Sequence, residues 1–190
     1  MMKITVYGGT NNKHYSEQEI QACADLGKFL AENNFEILTG ACGGYPYFVG
    51  RGAVQAGGKV IGYTPAANLQ EHLERYRFTT DGVTDLVFNE NILPTNSENF
   101  LKRSMDMTPY SDVVIALGGS WGTFSELLFS FFAKKKMIIV DAFGGAGEIF
   151  DIVNDFFRNR DNNPDVQNGA EIIHVADMTA LKKMLLQMVK

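Results

Sequence analysis

Asp112-Val113-Val114-Ile115-Ala116-Leu117-Gly118-Gly119-Ser120-Trp121-Gly122-Thr123-Phe124-Ser125-Glu126 is the stretch that decides the fold. Its first half is a continuous apolar run rich in β-branched residues. Such a run, without polar alternation, marks a strand covered on both faces of a sheet. The glycines then make a tight turn. Beyond them Phe124, Leu127, Leu128, Phe131 and Phe132 recur at i, i+3, i+4, i+7 and i+8, which is one helix face, and Phe129 widens the apolar surface around it. Strand, glycine turn and helix in that order form the βα unit of a parallel sheet.

Outward from this stretch the same unit recurs. An apolar run over residues 4–7 stops at Gly8-Gly9-Thr10 and is followed by a helical stripe of Ile20, Cys23, Ala24, Gly27 and Leu30. A second run, 35–38, stops at Thr39-Gly40-Ala41-Cys42-Gly43-Gly44. A small-residue helix through Val49, Ala53 and Ala56 follows and ends at Gly57-Gly58. Further strands are expected at 59–63, 85–88, 137–140 and 171–175, and further helices over about 97–107 and 179–189. Residues 66–83 are polar, and the cluster Arg75-Tyr76-Arg77 within them reads as a solvated surface excursion. Continuous apolar strands alternating with helices predict an α/β fold: a doubly wound, mostly parallel, Rossmann-like sheet with helices on both faces. The length of 190 residues predicts a single domain spanning 1–190.

Composition narrows the function. The chain is 45% hydrophobic and 21% charged, and its net charge of −5 argues against binding nucleic acid through bulk positive charge. Cys23 and Cys42 are too few for a disulfide framework and lack metal-site spacing, so a reducing cytoplasm and no metal are expected. No stretch reaches the 18 apolar residues of a membrane span, and none resembles a secretory leader, so no membrane partner is expected. The 19 glycines exceed the usual share, and three βα turns are rich in them.

Those turns carry the chemistry. Each offers free backbone N–H groups and the positive end of a helix dipole to a small anion, which makes Gly8, Gly9, Thr10, Gly40, Gly43, Gly44, Gly119, Ser120, Gly122 and Thr123 the candidate phosphate-binding residues. No turn ends in Gly-Lys-Ser/Thr, so a triphosphate P-loop is absent. No G-x-G-x-x-G follows the first strand, so tight dinucleotide binding is not expected. Gly118-Gly119-Ser120-Trp121-Gly122 also satisfies G-x-S-x-G, and Asp141 or Asp151 and then His174 follow in hydrolase order. Against a serine hydrolase, His174 falls inside a strand pattern rather than on a loop, and no oxyanion segment lies upstream. His174 therefore reads as a core or edge-strand residue, while His14 and His72 lie on polar segments without ligand spacing. Cys42 reads as a small packed residue, the alternative being a thiol activated by a helix N-terminus.

At Gly118-Gly119-Ser120-Trp121-Gly122-Thr123-Phe124-Ser125-Glu126 the sequence resembles the P-G-G-x-G-T-x-x-E motif of the LOG (lonely-guy) superfamily, whose members were long mistaken for lysine decarboxylases. It keeps Gly119, Gly122, Thr123 and Glu126, with Gly118 in place of Pro and Ser120 in place of Gly. The family's Glu-Arg-Lys segment falls on Leu101-Lys102-Arg103-Ser104, where Arg103 keeps its spacing to Glu126. Thr39 to Gly44 resembles the family's G-G-G-x-x-G loop, and Gly57-Gly58-Lys59-Val60-Ile61-Gly62 its G-G-x-V-I-G. The resemblance covers roughly residues 3–140. It implies a Rossmann-like fold, a homodimer, no cofactor, and release of a base from a nucleoside 5′-monophosphate by hydrolysis of its N-glycosidic bond. Arg103 and Glu126 are then the catalytic pair: a carboxylate can stabilise an oxocarbenium-like state and orient water, and a guanidinium can hold phosphate or align the carboxylate. The altered Gly118, Ser120 and the segment after Glu126 motivate a second expectation. That is a non-catalytic binder or carrier of a nucleotide or other phosphorylated ligand, on the general fold shared by molybdenum-cofactor carrier proteins. In either case the partner is a small molecule, and the Phe-rich helix 124–132 with the 97–107 helix is the expected dimer surface.

Overall fold

The structure, a computed structural model, describes residues 1–10, 15–158, 160, 164 and 170–188. His14, one of the sequence candidates, lies outside them. In chain order the elements are β1 (Lys3–Gly8), α1 (Glu17–Glu32), β2 (Glu36–Thr39), α2 (Tyr45–Gln55), β3 (Val60–Tyr63), β4 (Asp85–Val87), α3 (Asn96–Met107), β5 (Val113–Leu117), α4 (Trp121–Phe132), β6 (Lys136–Val140), α5 (Ala146–Arg158), β7 (Ile172–Val175) and α6 (Met178–Met188). The strands form one seven-stranded sheet in the order β4-β3-β2-β1-β5-β6-β7, every neighbouring pair parallel. The expected doubly wound α/β architecture is present, with helices on both faces.

Strand side chains alternate between two cores. Val113, Ile115 and Leu117 of β5 pack with Ile4, Val6 and Ile37 against α1, α2 and α6. Val114 and Ala116 pack with Tyr7, Leu38 and Ile139 against Met107, Leu127, Phe131 and Phe150. Both faces of the central strands are thus dry, which explains why their sequences show no polar alternation. Each fully buried Ile or Leu contributes about 1.5–3 kcal/mol of apolar transfer.

Helix starts are fixed locally. Ser16 caps α1 by accepting from the Glu19 N–H, and Glu19 reaches back to the Ser16 N–H; Thr95 and Glu98 repeat the arrangement at α3. Helices α1 and α2 touch backbone to backbone. A Cβ on Gly27 would lie 1.9 Å from the Val49 carbonyl oxygen, and one on Gly52 would lie 2.2 Å from that of Ala24. Part of the glycine excess therefore serves helix packing rather than a ligand.

Chain order and sheet order together place the site. The chain winds outward from β1 to β4, then returns to lay β5 on the other flank of β1. The turns after β1 and β5 leave the sheet in opposite directions at this reversal, and a crevice opens beyond their carboxyl ends. Gly9 stitches the turns together: its N–H donates to the Leu117 carbonyl (3.1 Å) and its carbonyl accepts from the Tyr45 N–H (3.0 Å).

Two expectations are corrected, and one element is added. The excursion 66–83 is not simply solvated: residues Glu71–Arg75 form one wide helical turn, and His72 within it is fully buried. The His72 ring bonds the Thr64 hydroxyl through Nδ1 (2.9 Å) and approaches the Thr79 carbonyl through Nε2 (3.3 Å), pinning the excursion to the end of β3. The Phe-rich stripe of α4 is divided, because sheet and α5 cover only its inner side. Leu127 and Phe131 are buried, whereas Leu128 and Phe132 face outward and Trp121 is 84% exposed. Helix α5 was not among the expected elements, although Ile149, Phe150, Val153, Phe156 and Phe157 recur at helical spacing. No helix among the described residues is long and apolar enough to cross a membrane.

Candidate functional site

Beyond the ends of β1, β2 and β5 lies a cleft of about 660 Å³, within the range of small-molecule sites. Of the residues singled out from sequence, Gly8, Gly9, Thr10, Gly40, Gly43, Gly119, Ser120, Gly122, Thr123, Arg103 and Glu126 line it together. Gly44 does not. It sits behind the wall with φ +88°, where a Cβ would fall 2.0 Å from the Gly9 carbonyl oxygen, so its part is to let the first and second turns touch.

The third turn leaves backbone donors free at the start of α4. Ser120 begins α4 without a side-chain cap, leaving the first N–H groups of the helix without intrahelical partners. Gly119 has φ +96°, and a Cβ there would meet the Thr123 side chain at 2.1 Å. Only glycine lets Thr123 fold back over the turn. A Cβ on Gly122 meets nothing within 4 Å, so the space above it belongs to the cleft.

Arg103 and Glu126 come together as their spacing suggested, and both are nearly buried, at 6% and 8% exposed. Arg103 Nη2 lies 3.5 Å from Glu126 Oε1. Its Nη1 donates to the Gly40 carbonyl and approaches Cys42 Sγ at 3.9 Å, and its Nε approaches the Phe100 carbonyl at 3.5 Å. With its fork engaged by protein atoms, Arg103 aligns the carboxylate and the second turn rather than offering an open phosphate clamp. The Ser104 hydroxyl is 2.9 Å from Glu126 Oε1 and 3.1 Å from the Phe100 carbonyl, so its single proton can serve either acceptor. Glu126 Oε2 has no partner among the described residues.

Burial pushes the Glu126 carboxyl up to about 7, against the opposing pull of Arg103 and Ser104. Both protonation states are thus populated near neutral pH. Burial also raises the Cys42 thiol, with Arg103 acting the other way, so Cys42 is not an activated thiolate. Tyr7, fully buried on β1, is likewise raised by burial and by Glu126; its hydroxyl is 2.9 Å from that of Thr108.

The serine-hydrolase arrangement does not assemble. His174 lies on the edge strand β7 with Nδ1 2.6 Å from Asp141 and Nε2 2.9 Å from Asp151, so both ring nitrogens are occupied by carboxylates and neither serves Ser120. Among the described residues no three His, Cys, Asp or Glu side chains gather as a metal site.

The SLOG cluster4 family pattern matches residues 1–180. The chain belongs to the SLOG cluster4 family. Among curated proteins none matches its sequence. Several solved structures are similar over nearly their whole length. The protein TM1055 shares 22% identity at TM-score 0.75, covering 98% of this chain and 99% of that one. The molybdenum cofactor binding protein of the phototrophic bacterium Rippkaea orientalis shares 20% at 0.69, covering 100% and 98%. The molybdenum cofactor carrier protein of Chlamydomonas reinhardtii shares 22% at 0.64, covering 99% and 98%. At such identities the likeness establishes the fold. The family shown is thus SLOG cluster4, and the closer resemblance to the lonely-guy family rests on sequence motifs: the Gly118-to-Glu126 stretch, Arg103, and the 39–44 and 57–62 segments.

This SLOG cleft also contains residues that sequence reasoning passed over: Tyr7, Arg75, Tyr76, Phe78, Phe100 and Ser104. Tyr7 hides in an apolar strand, and Phe100 and Ser104 look like ordinary helix residues. Arg75 and Tyr76 belong to the excursion read as solvated. Ser104, one residue after Arg103, was the one with a usable signal, since it shares the helix face that meets Glu126.

Proposed function

We propose that the cleft binds a nucleoside 5′-monophosphate and that Glu126 promotes hydrolysis of its N-glycosidic bond, giving free base and ribose 5-phosphate. The observation that carries this reading is the Glu126 carboxyl: buried beside Arg103, lining the cleft, raised to about 7, and with Oε2 unpartnered. Holding an ionisable group so far from its ordinary range is costly and is characteristic of acid–base sites. The phosphate seats on the N–H groups of Gly122 and Thr123 at the start of α4, with Gly40, Cys42 and Gly43 as the facing wall. Ionised Glu126 then takes a proton from water as its oxygen bonds to C1′ of the ribose. The C1′–N bond breaks with its electron pair leaving on the base, and the proton passes to the base. Arg103 keeps the carboxylate aimed, and the Ser104 hydroxyl follows its charge.

A second reading is a carrier that binds a phosphorylated ligand without turning it over. It is favoured by the whole-length likeness to molybdenum cofactor binding and carrier proteins and by Gly118 and Ser120, which depart from the lonely-guy motif. Incubation with a panel of nucleoside monophosphates, followed by chromatography for free base, separates the two. The hydrolase reading expects base release that falls about 10²–10⁴-fold in Glu126→Gln. Ligand binding without base release from any nucleotide would overturn it in favour of the carrier.

A further inference from the structure

We infer that the excursion between β3 and β4, together with α3, forms an aromatic wall for a planar heterocycle, so that the ligand of this cleft joins a flat ring system to its anion. The inference rests on the cleft reading above and names the part of the ligand that the glycine turns do not address.

Three half-buried rings line the cleft mouth. Tyr76 and Phe78 stack with centroids 5.7 Å apart and planes 20° apart. Phe100 of α3 stands edge-on to both, at 5.6 Å and 6.2 Å. None of the three belongs to either core cluster. Aromatic surface left at a polar mouth, outside the cores, is what a stacked partner ring would cover. The guanidinium of Arg75 sits 5.4 Å from the Tyr76 ring centroid and adds a planar cation to the same wall.

The wall is held in place. Arg77, between Tyr76 and Phe78, adopts φ +56°, a left-handed conformation unusual for arginine. The Phe78 N–H is tied to the carbonyl of buried His72 (3.1 Å). Arg75 Nη2 donates to Asn96 Oδ1 (2.9 Å), and the Tyr76 hydroxyl approaches the same oxygen (3.4 Å). Asn96 opens α3, which carries Phe100, Arg103 and Ser104 on its following turns. Because the Arg103 guanidinium carbon lies 5.6 Å from the Phe100 ring centroid, the wall adjoins the Arg103–Glu126 pair directly. A heterocycle on the wall and a phosphate on α4 therefore place the bond joining ring to sugar next to Glu126.

Titration calorimetry in the Glu126→Gln background, where turnover is suppressed, compares the four common nucleoside monophosphates with ribose 5-phosphate. We expect at least one nucleotide to bind about tenfold or more tightly than ribose 5-phosphate. That preference should collapse in Tyr76→Ala and Phe78→Ala and survive in Tyr76→Phe, with far-UV circular dichroism unchanged. A preference that persists in both alanine variants, or no preference in the parent, overturns the wall while leaving the anion site standing. A parent that binds neither nucleotide nor ribose 5-phosphate overturns the cleft reading itself.

Discussion

Replacing Glu126 by glutamine removes a single titration from the interior, and linkage turns that titration into a pH-dependent stability difference. The carboxyl ionises near its ordinary 4.5 in the unfolded chain and at about 7 in the folded one. Between those values the folded state holds more protons than the unfolded state, so stability falls as pH rises through this window. A shift of about 2.5 units at 1.36 kcal/mol per unit corresponds to about 3 kcal/mol. The glutamine variant lacks this loss. Whatever constant offset the substitution introduces, the wild-type stability minus the variant's should therefore fall by about 3 kcal/mol between pH 4 and pH 8. For a chain of this length that corresponds to about 6–12 °C in the difference of melting temperatures. Urea denaturation of both proteins across that pH range measures it, and other carboxylates cancel because both chains share them. A gap that stays constant with pH, or one that widens in favour of the wild type, would refute the claim that burial outweighs Arg103 at this carboxyl.

Two further outcomes follow from the same geometry. Gly122→Asp should weaken nucleoside monophosphate binding by about a hundredfold or more, since the new carboxylate occupies the anion's seat. The fold should hold, because a side chain there meets open space and an acidic residue suits a first helical turn; unchanged affinity by calorimetry would put the ligand elsewhere. Sedimentation at micromolar concentration should show twice the chain mass, as expected if α3 and α4 pair with a second copy through exposed Leu101, Met105, Leu128 and Phe132. Phe132→Glu should shift the population to monomer, and a clean monomer of the unmodified chain would sink the proposal.

The sheet was legible because a strand dry on both faces leaves a plain signal. The runs 113–117 and 137–140 have no polar break, and the glycine turn that ends the first falls where a parallel sheet needs a tight βα connection. The gathering of Arg103 and Glu126 was legible through their separation in sequence and the loop motif. The aromatic wall was not. Tyr76 and Phe78 sit in a polar segment, and it is tertiary contacts, the buried His72 on Thr64 and Arg75 on Asn96, that hold that segment beside the cleft. Phe100 belongs to a helix whose visible duty is to carry Arg103. Composition describes such residues as surface, because their surface is completed by tertiary contacts between segments that share no local pattern. Helix α5 is a different case: its spacing was present in the sequence, but four of its large apolar residues, Ile149, Ile152, Phe156 and Phe157, remain about half exposed or more.

The two functional readings separate at one oxygen. A buried ion pair is a poor source of stability, since removing two charges from water costs about as much as their attraction returns, so the Arg103–Glu126 pair is not explained by folding alone. Arg103 has its donors turned toward Gly40, Phe100 and Glu126, an arrangement that serves a carrier and a hydrolase equally by fixing the cleft wall. Glu126 differs. Oε1 finds two, and Oε2 finds none among the described residues while the side chain lines the cleft. An ionised carboxylate here repels a ligand phosphate under either reading, so anion binding alone does not separate a carrier from a hydrolase. What separates the readings is turnover: under the hydrolase proposal Oε2 is where a water is deprotonated beside a ribose, and base release that is lost in Glu126→Gln is an outcome a carrier would not give.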